Sequence, residues 1–426
     1  LTARLMKWEP VTALSVFGII NLLLLLFGLR FFISVLFPKD RSATAFYALL
    51  FVTTLWGKDA WGYSGFFHLR VLGYVLPYPS TFSMALTFMT LPIYARLMKD
   101  RNRMWLIPII ASTVTVLLTH PITFIFLAVG ILSLSMADPS FSWRKYSLLA
   151  GFFFLVMFLG VLWPYYPVIQ LLGSESKAYH PSNRVMYSSF IRRILPALIG
   201  VLVLLVRIRL NWRDSLGMML ILLIFIFACG WILNRWSYGR VISHIAIVLQ
   251  IAVASGSAWL ESKLRWDRIP VFCTRIACCV LVLLLISWMS FESYVRPAIN
   301  QAKPGLQNTY NSYQFLSGYT RQYDVILSDM NSSWILPTFG GKVIAAQHPL
   351  AFIPDHQTRV KDVNRFFQAD YQDQMEIVRR YNVGFVLIDK KRIPEWLRIT
   401  DSLQLFSHKV FENQQFILIH LRLVAF

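Results

Sequence analysis

The chain has 426 residues, of which 56% are hydrophobic and 15% aromatic, and its formal net charge is +20. This composition excludes an ordinary soluble globular protein. The positive charge lies beside apolar sequence, because residues 1–289 hold 26 Lys and Arg against 9 Asp and Glu. No soluble basic domain carries it, so a nucleic-acid partner is disfavoured and anionic membrane lipids are the expected partners.

Ten long apolar runs fill residues 1–289 and predict a transmembrane domain. They lie at 11–37, 43–56, 79–97, 105–119, 121–136, 147–163, 194–208, 216–233, 240–258 and 270–289. A hydrocarbon core of about 30 Å needs roughly 20 apolar residues in a helix, and backbone amides in lipid must pair within the helix. The sequence therefore predicts a polytopic α-helical membrane protein with about ten transmembrane helices.

The loops between the runs alternate in charge and so predict the topology. One set is basic throughout, as at Lys99, Arg101 and Arg103, whereas the alternate set is rich in Trp, Tyr, Ser and His. The positive-inside rule assigns the basic set to the cytoplasm. Ten spans then place both termini outside, and an outside start at Leu1 without Met predicts further sequence upstream.

Residues 290–426 read as a separate, small α/β domain. Short buried strands are predicted at 323–328, 342–346 and 384–389, with amphipathic helices at 355–367 and 371–381. A terminal hairpin is predicted from 403–411 and 415–421. Gly340-Gly341 is expected to form a turn, because its spacing fits no phosphate-binding loop.

Candidate chemistry is concentrated in the loops predicted to lie outside. Asp59 is surrounded by aromatic residues in the loop after the second run, where a carboxylate can act as a general base. His120 precedes Pro121 at a helix entrance that would favour an anion. Arginines suit phosphate because they offer bidentate donors. The candidate phosphate ligands are His68, His120, Arg192, Arg193, Arg235, Arg240 and His244.

Simpler interpretations stay open for each candidate. Asp59 could be a local partner for Lys58, and His120 a plain turn residue. Arg240 and His244 share a helical face by their spacing of four, yet Arg, Trp and Tyr in this segment also suit interfacial anchoring. The four cysteines lie in apolar runs, without the spacing of a disulfide framework or a metal site.

Two further segments carry a resemblance to a known family. Leu117-Leu-Thr-His-Pro121 is similar to the Thr-Lys-Gly-Pro hairpin turn of aminoarabinose-transferase-like enzymes. The segment 324–337, with 341–346 and His348-Pro349, is similar to the outer domain of uncharacterised relatives. Together with the many-helix body followed by an α/β domain, these segments make the chain resemble the bacterial GT-C glycosyltransferases.

The resemblance implies a multi-pass protein of the bacterial cytoplasmic (inner) membrane with a periplasmic C-terminal domain. It implies transfer of a sugar from a polyprenyl-phosphate carrier to an acceptor on the outer face, with Asp59 as the catalytic acidic residue. Whether a divalent cation takes part is left open. The family's usual catalytic acid lies in the first outer loop, which here is absent or precedes Leu1, and His120 stands where a lysine is expected.

Two other functions remain open at this stage. A GT-C-like fold without its acidic first loop could be a non-catalytic accessory or structural subunit with protein partners, and the scarcity of outer carboxylates favours this interpretation. A transporter is disfavoured because charged residues are nearly absent from mid-membrane positions, where coupling sites lie.

Overall fold

The computed structural model describes residues 5–6, 8–38, 41–100, 102–140, 142–164, 168, 183–263, 273, 275–281, 284, 305–346, 353, 355–404 and 407–422. The chain divides into two compact units, Leu1–Ala302 and Lys303–Phe426. The boundary predicted between residues 289 and 290 falls outside the described residues. Each unit has its own hydrophobic core.

The described part of the first unit is helical. Its helices are α1 (Pro10–Leu36), α2 (Arg41–Thr54), α3 (Leu69–Val75), α4 (Pro79–Asp100), α5 (Leu106–Thr119), α6 (Pro121–Ala137), α7 (Trp143–Val161), α8 (Phe190–Ile194), α9 (Ile199–Leu210), α10 (Ser215–Ile232) and α11 (Ile242–Lys263). Each of the first nine predicted apolar runs coincides with one of these helices. The tenth, at 270–289, lies largely outside the described residues.

Four helices within the described residues are long and apolar enough to cross a membrane. They are Pro10–Leu36, Trp143–Val161, Ser215–Ile232 and Trp236–Lys263, the last including a 3₁₀ turn before α11. Two shorter apolar helices, Arg103–Thr119 and Pro121–Ala137, accompany them. The prediction of a helical unit with helices suited to span a membrane is thus confirmed, while the number of ten spans stays a prediction.

Helix α11 occupies the centre of the helical unit. It packs against α2, α9 and α10, and every residue from Val241 to Ala252 is buried. Gln250 Nε2 donates a 2.9 Å hydrogen bond to the carbonyl oxygen of Leu55, at the end of α2. Because a helix apolar on all sides must be covered on all sides, α11 is the element against which the surrounding helices and the following loop assemble.

The second unit is a five-stranded mixed sheet with helices. Its elements are α12 (Gly305–Tyr313), β1 (Val325–Leu327), β2 (Lys342–Val343), α13 (His356–Phe366), α14 (Tyr371–Tyr381), β3 (Phe385–Asp389), α15 (Trp396–Leu403), β4 (Ser407–Glu412) and β5 (Phe416–Leu421). The strand order is β2-β1-β3-β5-β4, with β1 parallel to β2 and β3 and the remaining pairs antiparallel. An α/β unit was the sequence prediction.

Two details of the second unit are decided by local packing. The predicted strand at 403–411 begins only at Ser407, because Leu403 closes α15 as one of its buried residues. Gly340 makes the turn expected of it, since its φ of +116° lies in the region that favours glycine. His348-Pro349 lies outside the described residues.

Candidate functional site

The aromatic loop after α2 is docked on the short helix α8. The amide of Gly57 donates a 2.8 Å hydrogen bond to the carbonyl oxygen of Arg193. A Cβ at Gly57 would lie 2.0 Å from the carbonyl oxygen of Arg192. Glycine is therefore required at residue 57, and the close approach brings the loop and two consecutive arginines together.

Asp59 is held by both of these arginines. Its Oδ2 accepts a 2.9 Å hydrogen bond from Arg192 Nη2, and its carbonyl oxygen accepts one of 2.9 Å from Arg193 Nη1. The Asp59 backbone is left-handed, with φ of +59°. Since both side chains of the ion pair are at least half exposed, the pair contributes less than about 1 kcal/mol to stability. The two arginines predicted to hold phosphate thus meet the carboxylate predicted to be catalytic.

A cavity of about 540 Å³ lies beside Asp59. Its lining consists of Ala60, Trp61, Gly62, Tyr63, Arg70, Val71, Tyr74, Val185 and Arg193. The guanidinium of Arg193 stacks over the Trp61 ring, with 4.7 Å to its centroid. The volume falls within the roughly 300–1,000 Å³ typical of small-molecule sites. Aromatic faces together with two guanidinium groups suit a ligand that combines a sugar ring with an anionic group.

His68 supports the loop from its buried side. The His68 side chain is 1% exposed, and its Nε2 lies 3.0 Å from the carbonyl oxygen of Trp61. A carbonyl can only accept, so Nε2 donates. Burial lowers the pKa of His68 to about 4, which keeps the ring neutral at physiological pH. In this position His68 orients Trp61 in the cavity wall.

His120 caps the helix that it precedes. The amide of Thr123 donates to His120 Nδ1 at 3.3 Å, and the Thr123 hydroxyl lies 2.8 Å from the same nitrogen. Burial, together with the positive charge of Arg240, lowers the pKa of His120 to about 4. The expected anion position at the entrance of α6 is thus taken by the imidazole itself, which satisfies a helix N-terminal amide.

Arg240 and His244 lie close enough to His120 to interact with it electrostatically. The Arg240 guanidinium lies 5.9 Å from the centroid of the Tyr63 ring, which belongs to the cavity wall. His244 is 1% exposed and stacks on Phe126 with a centroid distance of 4.8 Å. Its Nδ1 has no hydrogen-bond partner within the described residues. This cluster therefore backs the aromatic loop from the direction of α11.

Arg235 belongs to the turn that ends α10. Its amide donates 2.8 Å to the carbonyl oxygen of Gly230, and its carbonyl oxygen accepts 3.0 Å from the amide of Tyr238. It is not among the residues that line the cavity beside Asp59. Of the eight predicted site residues, Arg193 lines the cavity, and Asp59 and His68 contact its wall through Arg193 and Trp61. Arg192 pairs with Asp59, and His120, Arg240 and His244 form the adjacent cluster.

The sequence prediction missed two polar residues of the cavity. Arg70 follows His68 by two residues and lies in the first turn of α3, and Tyr74 lies one turn further along. Both belong to the loop region 57–78 that was singled out for its aromatic content. The arginine was overlooked because nothing local ties it to Arg193, which is 123 residues away in the chain.

Comparison with known proteins gives structural matches only. No family model matches the sequence, and no curated protein matches it. The archaeal oligosaccharyltransferase AglB from Archaeoglobus fulgidus, solved with an inhibitory peptide and a dolichol-phosphate, matches 92% of this chain at 13% identity with a TM-score of 0.50. A structure of the Archaeoglobus fulgidus oligosaccharyltransferase with Zn and sulfate matches 91% of this chain at 15% identity, covers 57% of that chain and has a TM-score of 0.46.

The structural match concerns the fold, and it extends over only part of AglB. This chain spans 61% of the length of AglB. At 13% identity the match shows the fold, and at that level the resemblance found in the sequence is confirmed. The chain therefore shares the fold of this part of AglB, and it contains helices long and apolar enough to cross a membrane.

Proposed function

We propose that the chain is a membrane glycosyltransferase that transfers a sugar from a polyprenyl-phosphate carrier to an acceptor on the outer face of the cytoplasmic membrane. The observation that carries the proposal is the half-exposed carboxylate of Asp59 beside a cavity lined by Arg70, Arg193 and aromatic rings. The GT-C fold, and the dolichol-phosphate bound to AglB, support a lipid-linked sugar as the donor.

The residues of the cavity can be assigned separate roles. Trp61, Tyr63 and Tyr74 offer faces against which a sugar ring can lie, and Arg70 and Arg193 offer donors to the carrier phosphate. Arg240 adds positive charge behind Tyr63. His120 and His244 lie beside Arg240, and Arg235 lies in the turn before it. None of the three lines the cavity, and we retain them as candidates near the phosphate.

The transfer itself is a single displacement. Asp59 takes the proton of an acceptor hydroxyl, the acceptor oxygen attacks the anomeric carbon, and the bond from that carbon to the phosphate oxygen breaks. The polyprenyl phosphate leaves with the bonding electron pair, and arginines stabilise its charge. Asp59 Oδ1 suits the role of base because, within the described residues, it accepts no hydrogen bond, while Oδ2 is held by Arg192.

An experiment with the full chain in proteoliposomes tests this function. The probes are synthetic polyprenyl-phosphate pentoses and hexoses, and the readout is release of polyprenyl phosphate together with glycosylated acceptor from a cell-envelope extract. Asp59→Asn keeps the shape of the side chain and is expected to lower transfer by about 100-fold or more. The control is Lys58→Gln, an exposed neighbour. Equal transfer by Asp59→Asn and the wild type would remove Asp59 from the chemistry.

A non-catalytic accessory subunit is the second candidate function. It is favoured by one observation, namely that Arg192 already pairs with the carboxylate on which catalysis would depend. Under this function the wild-type protein transfers no sugar from any probe. Co-purification of a stable partner that covers the 57–78 loop would then decide for it.

A further inference from the structure

A second cavity lies near the opposite end of α11 from the Asp59 site. It has a volume of about 560 Å³ and runs between α9 and α11, with Phe37 and Thr44 at its side. Its walls are mainly apolar and include Val203, Leu210 and Leu260. Lining residues extend from Ile199 to Leu210 on α9, which corresponds to roughly 16 Å along the helix axis. An elongated apolar ligand fits this shape.

Arg207 is the cationic residue of this mainly apolar wall. Arg207 donates from Nε and Nη2 to Asp214 Oδ1, at 3.0 and 2.6 Å, and its guanidinium lies 5.0 Å from the Phe37 ring centroid. Within the described residues its Nη1 donates no hydrogen bond. The side chain is 31% exposed. Arg207 can therefore bind a further anionic oxygen without giving up Asp214.

A buried hydroxyl also faces this cavity without a partner. Thr44 is 1% exposed, it belongs to the lining, and its Oγ1 has no hydrogen-bond partner within the described residues. A buried hydroxyl left without a partner destabilises the folded protein. A polar group of a ligand, such as a glycerol ester oxygen, would satisfy it.

The surroundings of the cavity favour an anionic ligand from the membrane. Arg209 and Lys263 occupy the last turns of α9 and α11, and Arg213 follows in the next loop. Two acidic groups near the cavity within the described residues are already engaged, Asp214 by Arg207 and Glu261 by Tyr47 and Arg275. Trp259 lines the cavity and is 57% exposed, as expected for an aromatic residue at the membrane interface. Anionic phospholipids are attracted to such basic segments.

We propose that this cavity binds one anionic diacyl phospholipid, with an acyl chain along α9 and α11 and its phosphate on Arg207. The helix α11 has 22 residues and is about 33 Å long, so the site is separate from the cavity beside Asp59. It depends on neither candidate function proposed above. A lipid that binds only the folded protein stabilises it by mass action.

Native mass spectrometry of the delipidated full chain tests the proposal. The probes are phosphatidylglycerol and phosphatidylcholine with identical acyl chains. We expect one phosphatidylglycerol to be retained at activation energies that remove phosphatidylcholine. Val206→Trp places a large side chain in the lining and is expected to lower retention at least tenfold. The matched control is Leu205→Trp, because Leu205 and Val206 are similarly exposed, at 57% and 59%, and only Val206 lines the cavity.

A second variant tests the role of the charge. The double substitution Arg207→Gln with Asp214→Asn removes both charges together, so that neither is left buried alone. It is expected to abolish the preference for phosphatidylglycerol over phosphatidylcholine. Equal retention of the two lipids by the wild-type protein would overturn the proposal. An equal loss of phosphatidylglycerol retention in the Val206→Trp and Leu205→Trp proteins would overturn the proposal as well.

Discussion

Replacing Gly57 by alanine tests how the aromatic loop is held against α8. The added Cβ would lie 2.0 Å from the carbonyl oxygen of Arg192 and 2.9 Å from that of Arg193. Both are backbone atoms, which cannot rotate away as a flexible side chain can. The loop must therefore shift, and the 2.8 Å hydrogen bond between the Gly57 amide and Arg193 is lost.

The cost can be worked out from these two effects. A lost hydrogen bond costs about 1 kcal/mol, and overpacking at a close contact costs about 1–3 kcal/mol. A total of at least about 2 kcal/mol corresponds to a roughly 30-fold rise in the population of the undocked loop. Amide hydrogen exchange reports this local opening, so exchange in residues 55–62 and 190–194 is expected to accelerate by that factor.

Gly62→Ala is the matched control, since it lies in the same loop. Its Cβ would make only an ordinary contact, 3.5 Å from Val71 Cγ1. Exchange in the Gly62→Ala protein is expected to stay close to the wild-type rate. If the Gly57→Ala protein exchanged as slowly as the control, the docking described here would be refuted, and with it the position of Asp59 beside Arg192.

Two further predictions concern stability. His68 and His120 have pKa values of about 4 in the folded chain, against about 6.5 unfolded, so the unfolded chain takes up protons first and stability falls as pH drops from about 6.5 to about 4. Between pH 7 and pH 5 each histidine is expected to lower the free energy of unfolding by about 2 kcal/mol. Thermal unfolding at pH 7 and pH 5 measures this loss, and an equally large loss in a His68→Gln protein would contradict the prediction. In the second unit, Asp362→Ala removes a buried carboxylate that accepts hydrogen bonds from Arg380 Nη1 and the Tyr381 hydroxyl. The loss of these two hydrogen bonds is expected to cost about 2 kcal/mol in denaturant unfolding. Glu376→Ala removes an exposed partner of the same arginine and is expected to cost less than about 1 kcal/mol; equal costs would contradict the burial argument.

Several properties of the chain could be read from local sequence. The apolar runs predicted the helices from 10 to 263 because lipid or a core demands continuous apolar sequence and internal backbone pairing. The buried strands of the second unit were predicted because Val, Ile, Leu and Phe cluster in short runs between polar segments. The loop around Asp59 was singled out by its composition alone. The start of β4 was misplaced, because Leu403 fits a helix end as well as a strand.

Only the tertiary structure decided how the candidate residues are combined. Asp59 and its two arginines are separated by 133 and 134 residues, and the docking of the loop on α8 brings them together. The cavity beside them takes Arg70 from α3 and Arg193 from α8. His120 became a helix cap through the geometry of a single turn. The sequence by itself determined which segments form apolar helices and which polar groups lie between them, since both follow from local hydrophobicity. Which polar groups become partners depends on long-range packing around α11, and no local sequence pattern predicts that packing.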